Sequence, residues 1–356
     1  MGSRDRREIR SLVYSHFRLG RSLSHLDFKE RLAVAAFLTQ PSSDPIKVQL
    51  LEFFGWEQNL WEKNLMVRLE AVKDRYMDFR IDELFPFADQ LTTHIDREAF
   101  IRSMLVQPDV WIRIRENHIS KIETEFREKG FSWDVDEVNP AAWAFPAATP
   151  LLETEAYKAG YFEIQDYSSQ HIGSMLHPRG DEHWWDACAA SGGKSLLLLD
   201  QEPGIRLTAT DVRSSIIRNY QLRLEKAGFK GVDTRVVDLS RVKPFSEGYF
   251  DAVLADVPCS GSGTWARTPE MLVFFDSDRV KAFYEPLQRS ILETCVYSLK
   301  KGGKLIFSTC SVFESENEAN TRYMTADLGM QILSESYIFG VPKRADSMYV
   351  SVLIKN

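Results

Sequence analysis

The fold is decided by residues 183–195, which have the sequence HWWDACAASGGKS. His183–Ala187 is a short apolar stretch, and it leads into the adjacent glycines Gly192 and Gly193 and a helical pattern that begins near Lys194. Glycines let backbone N–H groups approach a ligand, and a helix start brings its positive end to the same place. This stretch therefore predicts the first strand, a ligand loop and the first helix of an open α/β sheet.

Outward from this stretch, from about Glu163 onward, apolar strands alternate with amphipathic helices. That alternation is typical of a parallel sheet covered on both faces. The predicted strands are His183–Ala187, Arg206–Thr210, Asp233–Val237, Ala252–Ala255, Lys304–Ser308, one near Tyr337–Val341, and Tyr349–Ile354. The last has no room for a crossover helix before it, so we expect it to run antiparallel at or near the edge of the sheet. The prediction is a Rossmann-like α/β domain that extends from residue 140 to residue 356.

The sequence before residue 140 has a different pattern. Apolar residues recur at helical spacing up to about Phe87, which predicts an all-helical domain over residues 1–90 with an interhelical turn at Gln40–Pro45. Residues 91–139 then predict a small α+β, RNA-recognition-like module. Its expected elements are a helix at Arg97–Leu105, a strand at Val110–Ile114 and a helix at Ile119–Lys129.

Composition limits the classes of protein that this chain can represent. With 356 residues and 44% apolar content, two or three folded domains are expected. The formal net charge of −7 argues against coating nucleic acid with a basic surface, so any RNA contact must be local.

The sequence has four cysteines, no recognisable secretory signal and no long apolar stretch, which together predict free thiols in a reducing, cytoplasmic compartment. No metal site and no membrane contact are predicted.

Aspartates follow three of the predicted strands: Asp211 the second, Asp238 the third and Asp256 the fourth. In an open α/β sheet the ligand lies beyond the carboxyl ends of the strands, and this arrangement suits an adenosine. Asp211 is 25 residues beyond Asp186, a spacing that suits a carboxylate that accepts hydrogen bonds from ribose hydroxyls. Asp238 could accept a hydrogen bond from the adenine amino group. Lys194 supplies a cation for a ligand carboxylate. The cofactor-binding loop is predicted to comprise Cys188, Ala189, Ala190, Ser191, Gly192, Gly193 and Lys194.

Each of these features has an alternative explanation. A single aspartate after a strand can simply cap the next helix. The stretch that ends in Lys194-Ser195 resembles the end of a P-loop, but Cys188 stands where that motif needs its first glycine. A dinucleotide-binding turn would need more glycines than Gly192 and Gly193.

Two cysteines follow neighbouring strands. Cys259 comes after the fourth strand and Cys310 after the fifth, and adjacent strands lie about 4.8 Å apart, so both sulfurs could reach one substrate atom or its close neighbour. Carbon 5 of cytosine attacks a sulfonium methyl only after a thiolate has added to carbon 6, and a second thiol can help to end such a reaction. Asp256 could bond the N3 atom or the amino group of the base. The alternative is that these thiols pack as small apolar groups, which is the expectation for Cys295 inside a predicted helix.

These residues resemble the RNA cytosine-5 methyltransferases of the Sun/Fmu type, over roughly residues 96–356. The motifs that carry the resemblance are Gln165–Ser169, Asp186–Lys194, Asp256–Gly263, Arg267–Glu270, Ser308–Ser311 and Glu316–Glu318. The resemblance implies that Cys310 is the nucleophile and that Cys259 is needed for product release. DNA cytosine-5 methyltransferases use the proline-cysteine motif instead, which would reverse these roles, but Thr309-Cys310 favours the RNA assignment.

The resemblance also implies the ligands of the protein. S-adenosylmethionine is the expected cofactor, bound by Lys194, Asp211, Asp238 and Asp256, and RNA, most of all ribosomal RNA, is the expected substrate. Further contacts to the substrate are expected from Arg267, Gln165 and Asp166. No obligate protein partner is expected. Three alternatives stay open at this point: a transfer RNA substrate, a small-molecule substrate, or a ribosome assembly factor that keeps the fold without turnover.

Overall fold

The computed structural model describes residues 3–39 and 45–356. Its helices are α1 Ser3–Arg18, α2 Phe28–Thr39, α3 Pro45–Phe53, α4 Leu65–Arg75, α5 Arg97–Ser103, α6 Ile119–Glu128, α7 Glu155–Lys158, α8 Tyr167–His171, α9 Gly193–Gln201, α10 Ser214–Lys226, α11 Met271–Phe274, α12 Glu285–Ser298 and α13 Glu318–Asp327. Its strands are β1 Val110–Ile114, β2 Asp134–Val135, β3 Ala142–Phe145, β4 Phe162–Ile164, β5 His183–Asp186, β6 Arg206–Asp211, β7 Asp233–Val236, β8 Phe250–Asp256, β9 Leu299–Thr309, β10 Met330–Ile338 and β11 Met348–Lys355. The turn predicted at Gln40–Pro45 lies outside the described residues, except for Pro45, where α3 begins.

The first of two compact units is helical, as predicted, but it contains more of the chain than expected. It comprises the chain up to Pro108 together with Thr264–Ser277, so α5 and α11 belong to it. Trp265 is 1% exposed and its ring lies 5.5 Å from that of Phe85. The guanidinium of Arg18 donates to the carbonyl of Ala266 at 2.7 Å. These contacts explain why the short segment leaves the α/β domain: it completes the core of the helical unit.

The second unit, Asp109–Gly263 with Asp278–Asn356, contains two sheets. The smaller sheet has the strand order β2-β3-β1-β4, and β1 pairs antiparallel with both β3 and β4. Its apolar face packs against α6 through the fully buried Phe126, Phe145 and Phe162. Because β3 and β4 both come after residue 140, this sheet extends beyond the predicted module boundary to Ile164. The division of the chain into three domains stays a prediction.

The larger sheet confirms the predicted α/β fold. Its strand order is β10-β11-β9-β8-β5-β6-β7, and β5 to β9 pair in parallel. The antiparallel direction predicted for the last strand is confirmed, since β11 pairs antiparallel with β9 and β10 forms the edge. The strand expected near Tyr337–Val341 was placed too late, because β10 occupies Met330–Ile338 and residues 341–343 form a 3₁₀ turn.

Helices cover both faces of this sheet because its strands are apolar on both sides. On β5, Trp184 packs into the cluster formed with α9 and α10, whereas its neighbour Trp185 faces the cluster formed with α12 and α13. Both tryptophans are 0% exposed. Each large aromatic side chain buried in this way contributes about 4 kcal/mol of hydrophobic stabilisation before the cost of ordering it. Cys295 lies in the second cluster at 0% exposure, which confirms its predicted role as a core residue.

Within residues 3–39 and 45–356, no helix has both the length and the apolar character needed to cross a lipid bilayer.

Candidate active site

The two predicted reactive thiols lie side by side. Cys259 follows β8 and Cys310 follows β9, and their Sγ atoms are 3.4 Å apart. The parallel pairing of β8 with β9, which places Asp256 opposite Ser308, brings the loops after the strands to the same edge of the sheet. The adjacency predicted for these strands is thus confirmed. Both thiols are free and half-buried, a state in which they can meet a substrate.

Glycine at position 263 allows the loop after β8 to lie against the loop after β9. Its N–H donates to the carbonyl of Cys310 at 2.9 Å, and its own carbonyl accepts from the N–H of Ser347 at 3.0 Å. A Cβ atom at Gly263 would lie 2.0 Å from the carbonyl oxygen of Ser347. Only glycine fits this approach, so the backbone of both thiol loops depends on it.

A buried carboxylate, Glu316, lies behind the thiols at 0% exposure. It accepts from the N–H of Ser260 at 2.8 Å and from the hydroxyl groups of Ser260 and Ser311 at 2.5 and 2.6 Å. The amide of Gln288 donates to it at 3.0 Å. Burial raises the pKa of Glu316, against the opposing effect of these donors. Sequence reasoning included Glu316 only as part of a family motif, because nothing in its local pattern connects it to Ser260.

The carboxylate of Asp256 is held from two sides. Oδ2 lies 2.5 Å from the ammonium of Lys194, and Oδ1 accepts from the hydroxyl of Ser308 at 2.8 Å. Burial alone would lower the pKa of Lys194, but the attraction of Asp256 outweighs it and the net shift is upward. In the structure the ammonium of Lys194 contacts Asp256, and its predicted contact with the carboxylate of a ligand stays a prediction.

A cleft opens beside these residues at the carboxyl ends of the strands. Most of the predicted cofactor loop lines it, together with residues from the stretch before β5 and from β5 itself. The lining includes Gln165, Asp166, Asp186, Cys188, Ala189, Ala190, Ser191, Gly193, Lys194 and Asp256.

Gly192 has a φ of +88°, and a Cβ there would lie 2.8 Å from the ring of Tyr220. The loop can therefore turn as it does only with glycine at this position.

Asp186 lines this cleft. Its Oδ2 atom accepts from the hydroxyl of Ser195 at 2.6 Å, while its Oδ1 atom is buried and has no hydrogen-bond partner among the described residues. Burial raises the pKa of Asp186 to about 7. A buried acceptor without a partner is costly, and a cationic donor bound in the cleft would satisfy it.

The other two predicted cofactor aspartates lie at the same edge of the sheet but have protein partners. Asp211 accepts from the N–H of Ala190 at 3.2 Å and forms an ion pair with Arg213 at 3.0 Å. Asp238 accepts from Ser240, which lowers its pKa, and pairs with Arg241 at 3.1 Å. The roles of Asp211 and Asp238 in binding a cofactor stay predictions.

The predicted substrate-binding residues do not form one group. Gln165 accepts from Nε of Arg113 at 3.0 Å and donates to the carbonyl of Gly193 at 3.4 Å, so it supports the cofactor loop. Asp166 caps α8 and accepts from the N–H of Asp346 at 3.1 Å. Arg267 belongs to the first unit. Contact of these three residues with a substrate stays a prediction.

Comparisons with known proteins find methyltransferases similar to this chain. Residues 173–338 match the family model described as 16S rRNA methyltransferase RsmB/F. A Xanthomonas campestris protein named ribosomal RNA small subunit methyltransferase B is 31% identical over 245 residues, which are 67% of this chain and 56% of the relative. A Xylella fastidiosa protein of the same name is 29% identical over 282 residues, 76% of this chain and 64% of the relative. This chain thus spans between half and two thirds of the length of these relatives.

Solved structures show the same fold. The crystal structure of PH0851 superimposes with a TM-score of 0.72 at 22% identity, covering 91% of this chain and 81% of that one. NSun6 from Pyrococcus horikoshii, solved with SFG, gives a TM-score of 0.63 at 17% identity, covering 80% of this chain and 97% of that one. The family match includes Asp186–Lys194, Cys259 and Cys310, the residues around which the cleft and the thiol pair are built. The chain belongs to the RsmB/F family of methyltransferases, the Sun-type family that its motifs resemble.

Proposed function

We propose that this protein transfers a methyl group from S-adenosylmethionine to carbon 5 of a cytosine in RNA, with ribosomal RNA as its substrate. The observation that carries the proposal is the pair of thiols, Cys259 and Cys310, which lie 3.4 Å apart after the strands β8 and β9, the first of which ends at Asp256. A methyltransferase that acts on an already nucleophilic atom has no need of two thiols at this position. The names of the relatives support ribosomal RNA as the substrate.

The cleft suits S-adenosylmethionine, which supplies an electrophilic sulfonium methyl when bound. The loop Cys188–Lys194 would hold the methionine part, with the unpaired Oδ1 of Asp186 as the acceptor for its ammonium. Asp211 would accept from the ribose hydroxyls in place of Arg213, whose side chain is 58% exposed and free to turn outward. A site lined by carboxylates favours a ligand that carries positive charge at both its ammonium and its sulfonium.

The two thiols suit different steps. The hydrogen bond to Cys310 and burial raise the pKa of Cys259, so Cys259 stays protonated and can donate its S–H to a thiolate at Cys310. The Cys310 thiolate would add to carbon 6 of the base. Asp256 would form a hydrogen bond to the base and stabilise the charge that develops on its ring. After carbon 5 has gained the methyl group, water takes its remaining proton, and the electrons of the C5–H bond form the C5–C6 double bond as the carbon–sulfur bond breaks to return the Cys310 thiolate. Cys259 would assist this last step.

The experiment is transfer of radiolabelled methyl from S-adenosylmethionine to undermodified small-subunit ribosomal RNA, with transfer RNA as the comparison substrate. Cys310→Ala should lose methylation, since no thiolate remains to activate the base. Cys259→Ala should accumulate a protein–RNA adduct visible on a denaturing gel, because formation of the adduct is retained while its release is slowed.

Cys295→Ala is the matched control, since Cys295 is a free thiol in the core and not in the cleft. It should methylate RNA as the wild type does once its stability has been checked by thermal melting. Normal methylation by both the Cys310 and the Cys259 variants would refute the mechanism. Preference for transfer RNA would refute the choice of substrate alone.

A further inference from the structure

Glu316 accepts hydrogen bonds from both loops that carry the thiols, and these loops also bond each other through Ser260, Ser262 and Ser311. From the loop after β8 it accepts hydrogen bonds from the N–H and the hydroxyl of Ser260, the residue next to Cys259. From the loop after β9 it accepts the hydroxyl of Ser311, the residue next to Cys310. One carboxylate thus joins the immediate neighbours of both thiols.

The four side-chain contacts of Glu316 suit a carboxylate. Oε1 accepts from the N–H of Ser260 and from the amide of Gln288, and Oε2 accepts from the hydroxyl groups of Ser260 and Ser311. In all four hydrogen bonds a Glu316 oxygen is the acceptor. This suits a carboxylate, which has two oxygens and four lone-pair positions. A glutamine of the same shape would turn an NH₂ group toward the two hydroxyl groups, which would then have to accept instead of donate, so the hydrogen bonds of Ser260 and Ser311 with their neighbours would rearrange.

The carboxylate is itself held in place by two helices. Gln288 of α12 also donates to the carbonyl of Pro258 at 3.0 Å, so α12 bonds both the Cys259 loop and Glu316. Asn320 of α13 donates to the carbonyl of Glu316 at 2.9 Å and to the side chain of Gln288 at 2.7 Å. Movement of Glu316 would therefore break contacts with both helices, and the junction behaves as a rigid support.

We propose that Glu316 is the positioning residue that keeps Cys259 beside Cys310, by tying Ser260 and Ser311 to one buried carboxylate. Its catalytic consequence, which rests on the function proposed above, is that Cys259 stays within reach of the adduct at Cys310. Loss of Glu316 would separate the thiols, so adduct formation would continue while release slowed.

The test measures the distance between the thiols without relying on activity. Diamide, an azo oxidant, takes two electrons and two protons from a pair of thiols, so a disulfide forms and the azo group becomes a hydrazine. Peptide mapping by mass spectrometry would follow the bond between Cys259 and Cys310 in the full chain. Glu316→Gln should form this bond about tenfold more slowly, because small losses of alignment are costly to proximity-dependent reactions.

The direction of the change separates geometry from charge. Glu316 contributes to the raised pKa of Cys259, so removal of its charge would by itself favour the thiolate and speed oxidation. A slower reaction in Glu316→Gln therefore reports lost alignment. The matched control is Glu314→Gln, two positions earlier in the same turn, whose side chain is 45% exposed and pairs with Arg322. It should oxidise at the wild-type rate.

A second readout uses RNA. Glu316→Gln should accumulate the protein–RNA adduct as Cys259→Ala does, and Glu314→Gln should not. If Glu316→Gln does not fold, Ser311→Ala and Ser260→Ala each remove one hydroxyl from the junction and should show smaller delays in both assays. Disulfide formation at the wild-type rate in folded Glu316→Gln would overturn the proposal. Slow disulfide formation in Glu316→Gln, in a protein whose wild type methylates no RNA, would support the positioning role and refute the proposed function.

Discussion

The ammonium of Lys194 lies 2.5 Å from a carboxylate oxygen of Asp256, which ties the first turn of α9 to the end of β8. These side chains are 11% and 27% exposed, so the ion pair is only partly screened by water. The pair connects the loop predicted to bind the cofactor with the carboxylate predicted to contact the base.

Replacement of Lys194 with methionine tests this connection. The variant keeps the length of the side chain but leaves Asp256 with the hydrogen bond from Ser308, at a cost of about 1 to 3 kcal/mol in the free energy of unfolding. Methylation should fall more steeply than stability, because Asp256 would lose its alignment. Chemical denaturation and methyl transfer measure the two effects. Lys301→Met, at an exposed position, is the control and should change stability by less than about 0.5 kcal/mol. Wild-type turnover in Lys194→Met would contradict this view of the pair.

The raised pKa of Asp186 predicts a dependence of stability on pH. A carboxyl group whose pKa is about 7 in the folded state and near 3.8 in the unfolded state holds its proton more tightly when folded. Its contribution to stability is complete below pH 3.8 and is lost as the pH rises to about 7. Asp186→Asn removes this titration, so the variant should gain stability relative to the wild type over that interval, by up to about 4 kcal/mol. Urea denaturation at several pH values measures the difference.

The control for this titration is Asp233→Asn, at an exposed position at the start of β7. A stability difference between the wild type and Asp186→Asn that stays constant from pH 4 to pH 7 would show that Asp186 does not titrate in this way. The comparison should be made without S-adenosylmethionine, because a bound cation would favour the ionised form of Asp186.

Gly263→Ala should displace the loop that carries Cys310. The new Cβ would lie 2.0 Å from the carbonyl oxygen of Ser347 and 3.0 Å from that of Cys310, both of them backbone atoms that cannot turn aside. We expect a loss of about 1 to 3 kcal/mol in the free energy of unfolding and a larger proportional loss of adduct formation. Gly180→Ala, whose Cβ would meet nothing closer than 3.5 Å, should behave as the wild type. Thermal melting and the adduct gel provide the two measurements, and an unchanged adduct yield would count against this role for Gly263.

Asp211→Ala should weaken binding of S-adenosylhomocysteine about tenfold. The change removes the acceptor for the N–H of Ala190, a residue with a φ of +45° in the cofactor loop, and it removes the acceptor expected for the ribose. Isothermal titration calorimetry gives the affinity. Arg213→Ala is the control, since it removes the ion-pair partner of Asp211 while keeping the carboxylate, and it should bind at least as tightly as the wild type. Equal affinity in Asp211→Ala and the wild type would remove Asp211 from the cofactor site.

Local pattern was sufficient to predict the elements of the α/β sheet. The strands predicted at His183–Ala187, Arg206–Thr210 and Asp233–Val237 each match an observed strand to within one residue at either end. The first two strands leave a clear signal because nearly all of their residues are buried, whereas β7 is largely exposed and was located by the alternation of strands and helices. The strand near Tyr337 was misplaced because β10 is an exposed edge strand, whose residues Gln331–Ser336 alternate little in burial.

The sequence by itself determined that Cys259 and Cys310 follow neighbouring strands, because parallel strands of this fold end at one edge of the sheet. The tertiary structure alone decided the contacts of Lys194 and Glu316. Lys194 meets Asp256 across 62 residues of chain, and Glu316 meets Ser260 across 56. It also decided that Thr264–Ser277 joins the helical unit, through packing around Trp265. Such contacts leave no periodic trace in the sequence, since they depend on which distant surfaces the folded sheet and helices bring together.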